Sequence, residues 1–164
     1  MKAISIVHAL LLTAVAIGCS DGSRKAGVSQ GKATDQAAAR RDVIDRFGKY
    51  GDTICVAKRA GHDYLRTVSD CLLRDEQAMH ELFVMTAKAG FDAASGEGHS
   101  DVLVYVLRDT GDRFFGRLLA LESDSVQAAV RHELRHELGY DDTRSAADSV
   151  RYLYPKTFAG SGKL

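Results

Sequence analysis

The chain has 164 residues, with 22 Lys plus Arg against 22 Asp plus Glu and a pI near 7, a balance that excludes the basic surface of a general nucleic-acid binder. Tryptophan is absent and proline occurs once, while alanine, leucine and charged residues are plentiful. That composition disfavours a strand-and-turn architecture and predicts an all-α fold, a compact array of about six short helices.

The first residues carry one positive charge, Lys2, then an apolar run from Ala3 to Ile17, then Gly18-Cys19. A spanning helix needs roughly 20 apolar residues, and this run of about 15 stops at Ser20-Asp21-Gly22-Ser23, so residues 1–18 read as a signal peptide. The stretch Ala16-Ile17-Gly18-Cys19 resembles the lipobox of bacterial lipoprotein precursors. The resemblance implies cleavage before Cys19, acylation of that cysteine, and a palmitate-type lipid anchor facing the periplasm in the cell envelope. Ser20 after the cysteine, in place of Asp, favours the outer over the inner membrane by the same resemblance. A diacylglyceryl group plus an amide-linked chain on that cysteine supplies more than one hydrophobic anchor, which is what stable attachment requires.

Residues 19–34 are polar, rich in glycine and aperiodic, which predicts a flexible tether with a reach of roughly 20 Å. Residues 35–155 then form one helical domain. Thr34 caps a first helix with Ala39, Val43, Ile44 and Phe47 on one face, ending at Gly48 or Gly51. Helices follow over 53–59 and 63–73, with Tyr64, Leu65, Val68 and Leu72 at helical spacing. With Cys19 lipidated, Cys55 and Cys71 are left as an even pair in an oxidising compartment, which predicts a disulfide; two buried free thiols are the other reading. One straight helix would hold these cysteines about 24 Å apart, so the bridge requires a break, supplied by Gly61 with Asp63 capping the next helix. Such a loop would contribute on the order of 3 kcal/mol.

A helix over 75–90 presents Met79, Leu82, Phe83 and Thr86. Phe91 to His99 reads as a glycine-rich loop, without the lysine or glycine spacing of a phosphate cradle. Residues 100–109 suit either a buried strand or a helix, and the Ser100-Asp101 start favours the helix. Helices over 112–122, from Ser123 or Asp124 to Gly139, and over 143–154 before Pro155 complete the domain, with 156–164 as a loose tail. From Gly98 onward, these short units are faintly similar to stacked HEAT-type helical pairs. His62, His80 and His99 read as surface or turn residues, and Ser95, Ser100, Ser123 and Ser125 as turn or cap residues.

One motif carries chemistry. His132-Glu133-Leu134-Arg135-His136 fits HExxH and resembles the zinc-binding helix of the zincin metallopeptidases. Residues i and i+4 share a helix face, so two imidazoles can meet one zinc while the glutamate acts as base on a metal-bound water. The resemblance implies His132 and His136 as ligands, Glu133 as catalytic base, and a third ligand from Asp141, Asp142 or Asp148, the last loosely similar to the aspzincin aspartate. The other reading is an amphipathic helix. The segment repeats Arg-His-Glu-Leu in tandem, Val126, Val130, Leu134 and Leu138 form a sufficient core stripe, and the Arg, His and Glu columns form a solvated face. Arg135 would oppose a dication nearby. On the second reading the domain holds no cofactor and acts by contact with another envelope protein, as an adaptor, an inhibitor or an immunity-like guard. On the first it is a small zinc-dependent peptidase.

Overall fold

The computed structural model describes residues 24–138 and 151–160, with side chains from residue 34 onward. The fold is all-α. Among the described residues the helices with defined bounds are, in order, α1 Arg24–Phe47, α2 Gly51–Arg59, α3 Tyr64–Leu72, α4 Glu76–Lys88, α5 Ala93–Thr110, α6 Asp112–Leu119 and α7 Asp124–Glu137. Residues 151–153 are helical and stop at Tyr154, ahead of Pro155. The proposed signal peptide, Cys19 and Asp141, Asp142 and Asp148 lie outside the described residues.

The helix boundaries follow local chemistry. Gly61, at φ +89°, ends the α2 turn, and Asp63 caps α3 by accepting the Arg66 backbone N–H at 3.3 Å. Asp75 caps α4 through the Ala78 N–H at 2.9 Å. The expected loop over 91–99 is instead mostly the first turns of α5. Asp92 and Ser95 form a reciprocal capping box there, which satisfies free N–H groups that glycine content alone would leave to water.

Helix α5 is the centre of the array, packing against α2, α3, α6 and α7, while α4 bridges α3, α6 and α7. Its Val102, Leu103, Val104, Val106 and Leu107 are all buried, while Glu97, Asp101, Tyr105 and Arg108 keep a narrow stripe at the surface. Around it lie Val43 and Phe47 of α1, Tyr64 and Val68 of α3, Met79, Leu82, Phe83 and Met85 of α4, Phe115 of α6, and Val126, Val130 and Leu134 of α7. Phe83 and Phe115 meet edge to face at 4.8 Å between ring centres.

Four further expectations about the elements need correction. The tether read over 19–34 is helical from Arg24, as part of α1. Ile44 is largely exposed while Val43 and Phe47 are buried, so the apolar face of α1 is narrower than its composition suggests. The Cys55–Cys71 disulfide is not formed: both thiols are free. Cys71 is in the core, where burial pushes its thiol pKa well up, and Cys55 is exposed while Thr53, Val56 and Ala57 on the same helix turn inward. The two sulfurs thus occupy opposite environments, core and solvent.

The loose tail is the fourth. Residues 156–160 are held from both sides. The Asp112 carboxylate accepts the Lys156 and Thr157 N–H groups at 2.8 Å each, and Arg131 donates to the Thr157 carbonyl at 2.8 Å and the Ala159 carbonyl at 2.9 Å. Phe158 is buried and Arg135 lies over its ring at 5.5 Å. Gly116 makes the approach possible, since a Cβ there would stand 2.6 Å from the Lys156 carbonyl carbon.

Candidate functional site

Val126, Val130 and Leu134 face the core, and the histidines fall on the other side of α7 as the helical period requires. His132 and His136 are exposed and Glu133 is half-buried between them. The three side chains line one wall of an open groove of about 330 Å³, whose facing wall is Phe91, Asp92 and Glu97 at the start of α5. The HExxH triplet is therefore brought together at a surface groove.

Glu133 is already engaged. Ser100 Oγ, fully buried on α5, donates to the Glu133 carboxylate at 2.5 Å, which ties α7 to the central helix. A charge-assisted bond of this kind contributes roughly 1.5–3 kcal/mol. Ser100 is thus a mid-helix residue, not a turn or cap residue, whereas Ser95 does cap. The partners lie 33 positions apart, a tertiary pairing with no local sequence signal.

The solvated-face expectation for α7 holds for the histidines and fails for Arg131, which is buried and clamps the tail. Among the described residues no group of three or more His, Cys, Asp or Glu side chains is placed to hold a metal ion. Asp92 is occupied as the α5 cap and accepts the Ser95 hydroxyl at 2.7 Å.

Beside the groove, carboxylates crowd. Burial and then the charges of Asp101 and Glu97 raise the Glu137 pKa, against the pull of His136 and Arg108. Tyr50 donates to Asp101 at 2.5 Å, and that bond, with burial, pushes its hydroxyl up to about 12. A second acidic groove, over α3 and α4, is structural: Asp63 and Asp75 are caps, Asp70 accepts from Gln36 at 3.0 Å, and Glu81 holds His62 at 2.7 Å. His80 pairs with Glu122 at 2.6 Å, while His99, expected at a surface or turn, is fully buried.

Comparison with protein-family models, with curated proteins and with solved structures finds no match.

Proposed function

We propose that the protein is an envelope lipoprotein, anchored through Cys19 and favouring the outer membrane, whose helical domain acts by binding another envelope protein. The observation that supports this reading is the state of the α7 groove. Its glutamate is tied down by Ser100, its histidines are exposed, and its acidic rim is open to solvent. Such a surface suits an adaptor, an inhibitor or an immunity-like guard, which needs a rigid contact face and no reacting group. No helix among the described residues is long and apolar enough to cross a membrane, so attachment on this reading falls to the lipid.

The competing proposal, a zinc-dependent peptidase with His132 and His136 as ligands and Glu133 as base, is favoured by the shared groove of those three side chains. It needs a third ligand such as Asp148 and a Glu133 released from Ser100. The two differ in cells. A photo-crosslinking side chain at position 136 of the full-length lipoprotein should give a discrete adduct with one envelope protein, and the same probe at Arg113, away from the groove, should not. Identical smears from both positions, with peptide hydrolysis that Glu133→Gln abolishes, would replace binding by catalysis.

A further inference from the structure

His99 of α5 is completely buried, yet both ring nitrogens are satisfied. Nδ1 lies 2.9 Å from the Tyr64 hydroxyl on α3, and Nε2 lies 2.8 Å from the Thr86 hydroxyl on α4. The ring stacks on Phe91 at 4.1 Å between centres and 17° between planes. One imidazole thus joins three helices and the segment leading into α5.

The proton count selects one tautomer. Thr86 has a single hydroxyl hydrogen, and it is committed to the Leu82 carbonyl at 2.9 Å. Thr86 Oγ1 can then only accept from His99, so Nε2 carries the proton. Nδ1 is left as the acceptor for Tyr64 O–H, and every hydrogen is used once. A second ring proton would sit on Nδ1, facing the Tyr64 hydrogen, and would force Tyr64 to turn that hydrogen into the core. We propose that the Tyr64–His99–Thr86 chain is an acid-sensitive latch, which holds α3, α4 and α5 together only while His99 is the neutral Nε2–H tautomer and loosens that junction when the ring takes a second proton.

The surroundings offer the imidazolium no counter-charge. Cys71 of α3, itself raised by burial, Asp101 of α5 and Tyr50 ahead of α2 are the titratable groups acting on Tyr64, and Asp101 is hydrogen-bonded to Tyr50. From α4 the ring's hydrogen-bond partner is the uncharged Thr86, and from α7 the Glu133 carboxylate is taken up by Ser100. Burial alone acts on His99, moving it down from 6.5 to about 3. The sign follows: the unfolded chain takes the proton below 6.5 and the folded chain does not until about 3. Stability from this group is complete above 6.5 and is lost as pH falls through that window, by up to about tenfold in the folding equilibrium per pH unit. The latch stands independently of the binding reading, and in the cell envelope it would meet the pH outside the inner membrane.

The test is denaturant unfolding of the full chain from pH 7.5 to 3.5, comparing wild type with His99→Gln, whose amide cannot titrate there. The ratio of wild-type to variant folding constants should drop steeply below pH 6.5; parallel curves would overturn the latch. Should His99→Gln not fold, nitrogen-15 imidazole spectra of the wild type decide. A neutral Nε2–H ring at pH 5 supports it, and a ring titrating near 6.5 in the folded protein, or protonated at Nδ1, overturns it.

Discussion

Ser100 and Glu133 show what a single pair does here. Their 2.5 Å bond fixes the α7 glutamate against the central helix, and removing the hydroxyl leaves a half-buried carboxylate without its donor. Ser100→Ala is therefore expected to lower stability by roughly 1–3 kcal/mol, read by urea unfolding, with no compensation from water if the groove floor stays closed. The thiols make a second residue-scale prediction. Of the two domain thiols, alkylation of the native protein should label Cys55, and Cys71 should react only after unfolding, since one is exposed and the other is core. Protection of both until a reductant is added would restore the disulfide. Counting cysteines could pair them; it could not see that only one points inward.

At the scale of elements, the α7 stripe of Val126, Val130 and Leu134 was readable because its period matches 3.6 residues and its other faces are polar. Leu134→Ala should cost about 2–5 kcal/mol, while His132→Ala and His136→Ala should stay within about 0.5 kcal/mol. The Gly61 break and the Asp63 cap were equally legible, since each depends on neighbours within three positions. Helix α5 was legible only in its second half: the helix expected over 100–109 is there, but its opening turns hold two glycines that a capping box rescues, so composition over 91–99 spoke for a loop. The tail hid for another reason: its partners Asp112 and Arg131 lie 44 and 26 positions back along the chain. Breaking that clamp should free it. Trypsin should cut after Lys156 much faster in Arg131→Ala or Gly116→Ala than in wild type, and equal rates would mean that the clamp contributes little.

For the whole molecule, the helices build one continuous core around α5 and leave His132, Glu133 and His136 outside it, on an open and acidic groove. The motif was legible as a spacing, and so was its ambiguity, because only tertiary structure places Ser100 against Glu133. On the binding reading, Cys19→Ala should move the protein from the membrane fraction to the soluble envelope fraction without changing the domain's unfolding midpoint. Contact with a partner, as opposed to chemistry at zinc, is the claim that most needs testing. The direct measurement is the zinc content of the full-length protein purified without chelators, beside a His136→Ala variant shown to fold. Binding without a metal predicts far less than one zinc per chain in both; one zinc per chain, lost in the variant, would contradict it and make the groove a catalytic site.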